Sequence, residues 1–171
     1  VWCLLGGQQQ VRLISDQKMP APPRGVAVIG LGLIGQLTVQ LLVANGCRVL
    51  GIDLDPARVA EAKEAGAEWG MTPSDDHAAW IAAATEGHGA DAVYVTAASS
   101  SSAPIQAAAE LCRMKGRVIA VGATAMDLDR RSFYEKELEL RMSMSYGPGR
   151  YDRRYEELGY EYPISYVRWT E

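Results

Sequence analysis

Two kinds of apolar segment alternate along the middle of this chain. Short runs rich in Val, Ile and Ala at 26–29, 48–52, 91–96 and 116–121 have the length and composition of buried strands. Longer segments with apolar residues at helical spacing lie between them. Strands that alternate with helices predict crossover units and a parallel sheet.

The full pattern predicts six strands, one helix in each of the first four connections between strands, and one helix after the last strand. The predicted strands are 26–29, 48–52, about 68–71, 91–96, 116–121 and about 137–144, and the predicted helices are 33–45, 56–65, about 74–85, 103–113 and 152–158. This sequence of elements predicts an α/β fold, a doubly wound, six-stranded parallel Rossmann sheet in a single domain, with strand order 3-2-1-4-5-6.

Capping residues mark several of the predicted helix ends. Asp55 is expected to be an N-cap with Pro56 at the first helical position. Ser74 and Asp75 are the capping candidates for the next helix, and Asn45-Gly46 and Gly66 are expected to end the two helices before it.

The first predicted strand runs directly into three closely spaced glycines. Gly30 permits a tight turn, Gly32 lets a pyrophosphate approach the backbone, and Gly35 lets the following helix pack close to the sheet. The N-terminus of that helix offers unpaired N–H groups and the positive end of a dipole. The motif has its strand, its helix and an acid at the end of the next strand, and this context predicts dinucleotide binding.

Asp53, which lies 21 residues after Gly32, bears on the choice of dinucleotide. Its carboxylate would accept hydrogen bonds from the adenosine ribose hydroxyls and would repel the 2′-phosphate of NADP. NAD is therefore the expected cofactor. Arg58 either contacts the same ribose or covers the helix surface, and the sequence leaves both interpretations open.

Two further strand ends should meet the glycine turn where the strand order reverses. One carries Thr96, Ala97 and the serine run 99–102, and the other carries Val121 and Gly122. Small residues here would leave room for a nicotinamide riboside. The serines lack a nucleophile-elbow motif, so we interpret them as helix-capping and loop residues.

No catalytic or metal-binding residue is predicted. His77 and His88 lack other ligands at metal spacing and are interpreted as surface residues. Tyr134 and Lys136 lack the spacing of the short-chain dehydrogenase pair, and Arg150 is interpreted as a loop residue. The three cysteines are widely spaced, which predicts small apolar packing roles in a reducing compartment.

The composition and charge of the chain bear on which binding partners are expected. The net charge of −4, with acidic residues among the basic ones, gives no reason to expect nucleic acid or an anionic membrane. No apolar run approaches the roughly 20 residues needed to cross a bilayer. A cytoplasmic location is expected. The expected division of the chain is an N-terminal connector or unrelated lead-in at 1–24, an NAD-binding Rossmann domain at 25–145, and a C-terminal loop and tail at 146–171.

The segments VAVIGLGLIG, VLGIDLDPARVAEAKEAGA, GADAVYVTAASS and ELCRMKGRVIAVG together resemble the coenzyme domain of medium-chain, zinc-type alcohol dehydrogenase-like proteins. The resemblance extends from Gly25 to about Ser145. The later segments FYEKELELRMSMSYGPGRYD and YPISYVRWTE resemble a narrower group, the dehydrogenase half of bi-domain oxidoreductases.

This resemblance implies a set of cofactor contacts. It implies pyrophosphate contacts from the backbone at Leu33 and Ile34 and ribose contacts from Asp53 and Arg58. The implied nicotinamide contacts are Thr96, Ala97, Val121, Gly122 and the backbone near Met144 and Tyr146. It also implies a homodimer formed through the last strand, and such pairing would protect an exposed strand edge.

The family places substrate and zinc on a separate catalytic domain that this chain is not expected to contain. The leading hypothesis is therefore an NAD(H)-binding coenzyme domain without its catalytic half. Two alternatives are an active oxidoreductase completed by a dimer or a partner chain, and a non-catalytic module that senses NAD(H). A methyltransferase is disfavoured because Val28 and Ile29 occupy the positions where an acid is expected.

Overall fold

The computed structural model describes residues 25–144 and 150–161, which form one parallel sheet with helices packed on it. The strands are β1 (Gly25–Ile29), β2 (Arg48–Ile52), β3 (Trp69–Met71), β4 (Ala90–Val95), β5 (Cys112–Ala120) and β6 (Glu139–Met142). The helices are α1 (Leu33–Ala44), α2 (Pro56–Glu64), α3 (Ala78–Thr85), α4 (Ala103–Leu111), α5 (Arg130–Glu135) and α6 (Arg153–Glu156). All adjacent strands are parallel, and the observed order β3-β2-β1-β4-β5-β6 confirms the predicted topology.

The core lies on both faces of the sheet. Strand β1 is buried along its whole length because it is central and both of its faces are covered. Val26 and Val28 pack in a cluster with residues of α1 and α2, whereas Ala27 and Ile29 pack in a second cluster with residues of α3 and α4. The alternation of side chains along the strand thus divides the core into two layers.

Two helices begin and end as their capping residues predict. The side chain of Asp55 accepts a hydrogen bond from the N–H of Ala57 at 2.9 Å, with Pro56 at the start of α2. Gly46 and Gly66 follow α1 and α2 with positive φ angles of 76° and 103°. Helix α2 therefore starts just beyond the end of β2, which brings the segment from Asp53 to Arg58 beside the glycine turn.

The prediction that Ser74 and Asp75 cap α3 is wrong. The helix begins at Ala78, and its N-cap residue is His77. Asp75 instead accepts hydrogen bonds from the N–H and the hydroxyl of Thr72. Its side chain closes a turn after β3, and the helix can start only after that turn.

The region from α4 to β6 also differs from the prediction. Helix α4 stops at Leu111 and β5 begins at once, because Cys112 pairs with Ala90 before the register shifts. Strand β6 is shorter than the predicted strand. The sequence analysis missed α5, which begins where Asp129 accepts hydrogen bonds from the N–H groups of Arg131 and Ser132.

Lys136 joins the C-terminus of α4 to the segment before β6. Its ammonium group donates to the carbonyl oxygens of Ala109, Glu110 and Cys112 at 3.0, 2.7 and 2.8 Å. A cation at this end of a helix satisfies carbonyl groups that have no partner within the helix and interacts favourably with the helix dipole.

We expect Lys136→Met to lower the free energy of unfolding by about 1–3 kcal/mol, because it leaves these carbonyl groups without their donor. Urea denaturation measures the change. Lys115→Met is the matched control, since the Lys115 side chain is 70% exposed and its ammonium forms an ion pair with the exposed Glu137 carboxylate. Its expected effect is below about 0.5 kcal/mol. Equal effects of the two substitutions would contradict a capping role.

Candidate functional site

The carboxyl ends of β1, β4 and β5 lead into turns that touch one another. The N–H of Ala97 donates to the carbonyl oxygen of Ile29 at 3.1 Å, and the N–H of Gly122 donates to that of Val95 at 2.9 Å. A Cβ on Gly30 would lie under 3 Å from the backbone of Ala97, and a Cβ on Gly122 would overlap the carbonyl of the same residue. The two glycines are therefore required by the approach of the turns themselves.

Gly35 allows helix α1 to begin directly against the turn after β1. A Cβ at this position would overlap the carbonyl oxygen of Gly30 and would lie 3.0 Å from the hydroxyl of Thr96. Gly30 itself has a φ of +93°, which favours glycine. The roles predicted for these two glycines agree with their surroundings.

The first N–H groups of α1 are available to a ligand. Within residues 25–144 and 150–161, no oxygen accepts a hydrogen bond from the N–H groups of Gly32, Leu33 or Ile34. A Cβ added to Gly32 would meet nothing within 4 Å. Unpaired N–H groups at a helix N-terminus beside open space form a site suited to an anion.

Asp53 is held in place at the end of β2. One carboxylate oxygen, Oδ2, accepts from the N–H of Leu31 at 2.6 Å, and Oδ1 accepts from the N–H of Asp55 at 2.9 Å. The side chain is 9% exposed. An ionised carboxylate has about four acceptor positions, so two N–H groups leave capacity for the hydroxyls of a ribose.

Arg58 lies close to two carboxylates. Its guanidinium is 3.8 Å from Oδ2 of Asp53 and 3.8 Å from Oδ2 of Asp55, and the side chain is 52% exposed. At these distances the guanidinium does not make a short, charge-assisted hydrogen bond to either acid. It can therefore turn towards a ligand at low cost.

Thr96 has an interaction that the sequence did not predict. Its hydroxyl donates to the carbonyl oxygen of Gly30 and lies 3.2 Å from that of Ile29. The Thr96 side chain thus links the end of β4 to the turn after β1. The half-buried Val121 and the main chain of Ala97 lie at the same edge of the sheet.

Sequence analysis also missed Gln36, which follows the last glycine of the motif. Its amide nitrogen donates to the carbonyl oxygens of Leu31 and Arg58. The signal in the sequence was a polar residue next to the glycines in an otherwise apolar helix start, but spacing alone could not identify its partners.

Side chains that were weighed for catalysis have structural partners instead. The hydroxyl of Ser101 accepts a hydrogen bond from the N–H of Ala103, the first residue of α4, whereas the N-cap residue Ser102 makes no side-chain capping hydrogen bond. The Lys136 ammonium is bound to carbonyl groups while Tyr134 is exposed, so the two do not form a catalytic pair. Burial raises the pKa of the Cys112 thiol to about 12, so this cysteine stays protonated at neutral pH.

The two histidines differ in how far they are buried. His88 is exposed, as expected, but His77 is half-buried and its Nε2 atom has no hydrogen-bond partner among the described residues.

In the described part of the chain, no group of three or more His, Cys, Asp or Glu residues could hold a metal ion. No helix there is both long and apolar enough to cross a membrane. Tyr146 lies outside the described residues.

The sequence matches the family model for zinc-binding dehydrogenases over residues 34–158, so the chain belongs to this family. An alcohol dehydrogenase from Geobacillus stearothermophilus is 34% identical over 102 residues. That match covers 59% of this chain and 29% of the relative, so the chain corresponds to only part of the relative's length.

Solved structures share the fold. An alcohol dehydrogenase from Thermus sp. superposes with a TM-score of 0.66 at 27% identity, covering 83% of this chain and 40% of that protein. A zinc-binding dehydrogenase from Sinorhizobium meliloti, solved with NADP, gives 0.64 at 25% identity, with coverages of 83% and 41%. A protein described as a short chain alcohol dehydrogenase (rspB) from Escherichia coli, solved with NADH, gives a TM-score of 0.63 at 23% identity, with coverages of 84% and 43%. The narrower likeness to bi-domain oxidoreductases stays a prediction.

We expect Gly35→Ala to lower the free energy of unfolding by about 2 kcal/mol or more, because its methyl group would force α1 away from the carbonyl of Gly30. Urea denaturation measures the loss. Gly32→Ala is the matched control, since that methyl group meets open space and φ is −68°. Its effect on stability should stay below about 1 kcal/mol. A Gly35→Ala variant as stable as the control would contradict the packing argument.

Proposed function

We propose that this chain binds NAD(H) and forms the coenzyme-binding unit of a medium-chain, zinc-type dehydrogenase. The observation that carries the proposal is the set of unpaired N–H groups at Gly32, Leu33 and Ile34, beside the oriented carboxylate of Asp53. The N–H groups suit a pyrophosphate and the carboxylate suits ribose hydroxyls. Two solved structures that share the fold, one bound to NADH and one bound to NADP, support the ligand class.

The remaining predicted residues complete the proposed site. Arg58 contacts the ribose by turning from its two carboxylate neighbours. Ala97, Val121, Gly122 and Thr96 line the edge of the sheet where the nicotinamide riboside would lie, with Gly30 and Gly35 shaping the turn. A bound nicotinamide dinucleotide supplies hydride-transfer chemistry, and the residues of this chain bind and orient it.

The charges around Asp53 favour NAD over NADP. Asp53 and Asp55 share the single guanidinium of Arg58, which leaves a net negative charge before a ligand arrives. The 2′-phosphate of NADP would bring further negative charge to this position, whereas the free 2′-hydroxyl of NAD can donate to the carboxylate.

We propose that substrate binding and catalysis use residues outside the described part of the chain. Within residues 25–144 and 150–161, no cluster of side chains fits a zinc ion, so none of these residues is assigned a step through that metal. Hydride transfer also needs a substrate held against the nicotinamide and a group that polarises it. This proposal includes the domain bounds. The coenzyme unit comprises residues 25–145, and segments 1–24 and 146–171 flank it.

Calorimetric titration tests the proposal. We expect the chain to bind NADH at micromolar concentration and NADPH at least about tenfold more weakly, because of the charge at Asp53.

We expect Gly32→Ala to weaken NADH binding by about tenfold or more without loss of stability, since its methyl group would occupy the path of the pyrophosphate. No heat with either dinucleotide at high micromolar concentration would refute the proposal.

We also propose that two copies pair through β6. Among the described strands, β6 pairs only with β5, and its Met142 side chain is 62% exposed. An uncovered strand edge of this kind is a ready template for a second chain.

Light scattering of the purified chain should therefore give the mass of a dimer, and Met142→Lys should give a monomer because the added charges repel across the two-fold axis. Gln40→Lys is the control, since Gln40 is exposed on α1, a helix that packs on β1 and β2 rather than at this edge. A monomeric wild-type chain would contradict this interface.

A further inference from the structure

The side chain of Gln36 connects two separate segments of the candidate site. Its Nε2 atom donates to the carbonyl oxygen of Leu31 at 3.2 Å and to that of Arg58 at 2.8 Å. Leu31 belongs to the glycine turn, whereas Arg58 belongs to the first turn of α2. These segments lie 27 residues apart in sequence and carry the two groups proposed to hold the ligand.

The orientation of the Gln36 amide follows from its partners. Both are carbonyl oxygens, so the nitrogen must face them and the oxygen must face away. The Oε1 atom is buried and has no hydrogen-bond partner among the described residues. A buried acceptor without a donor costs stability, so Gln36 is not a residue optimised for stability alone.

These contacts close a ring of hydrogen bonds. The N–H of Leu31 donates to Asp53, and the N–H of Asp55 donates to the same carboxylate at the start of α2. Gln36 returns from the first turn of α2 to the carbonyl of Leu31. The main chain of Leu31 is therefore fixed on both sides, by Asp53 at its N–H and by Gln36 at its C=O.

We propose that Gln36 is a positioning residue that sets the distance between the pyrophosphate-binding N–H groups and the ribose-binding carboxylate of Asp53. This proposal rests on the proposed function. The ribose and pyrophosphate of a dinucleotide are covalently joined, so a ligand gains both interactions only if the two protein groups already have matching separation. An error of about 1 Å in such a site weakens recognition strongly.

Gln36→Met tests the role with little change in size. It removes both donated hydrogen bonds but also removes the buried oxygen that lacks a partner. The melting temperature should therefore change by only a few degrees, while the Kd for NADH rises about five- to twentyfold. Gln40→Met, an exposed position one turn later on the same helix, should leave both values unchanged.

A double-mutant cycle with Asp53→Ala separates positioning from general loosening. If Gln36 acts through the segment that carries Asp53, Gln36→Met should cost less than about twofold in NADH affinity once Asp53 is removed. A general loosening of the fold would give the same cost in both backgrounds. An equal cost would overturn the proposal.

Hydrogen exchange without ligand gives an independent readout. In Gln36→Met, the amides of Leu31 and Asp55 should exchange faster because their shared acceptor is less well held, while the amide of Val28 in β1 should not change. If Gln36→Met exchanges these amides at the wild-type rate and binds NADH with the wild-type Kd, the role proposed for Gln36 is overturned while the proposed function stands. Failure of the wild-type chain to bind either dinucleotide would overturn the proposed function and leave faster exchange as the sign of a purely structural link.

Discussion

The close approach of α1 to the turn after β1 is the constraint on which the rest of this structure depends. Gly35 lies so near the carbonyl of Gly30 that no side chain fits between them. Because of this contact the helix begins immediately beyond the strand, and its first N–H groups lie at the carboxyl edge of the sheet. The contacts of Thr96 and Ala97 to the same turn then bring the second half of the sheet against the first.

The structural role of Asp53 and its proposed recognition role use different lone pairs of one carboxylate. Its bonds to the N–H groups of Leu31 and Asp55 fix the side chain before a ligand arrives. A group that is already oriented loses little conformational entropy on binding. The same bonds join the ends of β1 and β2, so the proposed ribose contact also stabilises the turn that presents the phosphate site.

The sequence predicted those parts of the fold that local chemistry determines. The limits of β2, the capping of α2 by Asp55 and the strand order all follow from apolar runs, turn residues and the handedness of crossovers. The start of α3 could not be predicted, because Asp75 had two possible main-chain partners and binds the turn at Thr72. The hydrogen bonds of Lys136, Gln36 and Thr96 were missed for a related reason, since each side chain donates to main-chain carbonyl groups that only the tertiary fold brings near.

The proposed recognition through main-chain N–H groups depends on where helix α1 starts rather than on the identity of its first side chains. Leu33 is 78% exposed, and its proposed contribution to the site is its N–H rather than its side chain. Such a position can vary as long as the helix starts at the same point. The positions that the packing constrains are Gly30 and Gly35, which place the helix, and Asp53, whose carboxylate orients the turn. A chain only 34% identical to an alcohol dehydrogenase can therefore keep the geometry of the site, provided that these few residues are retained.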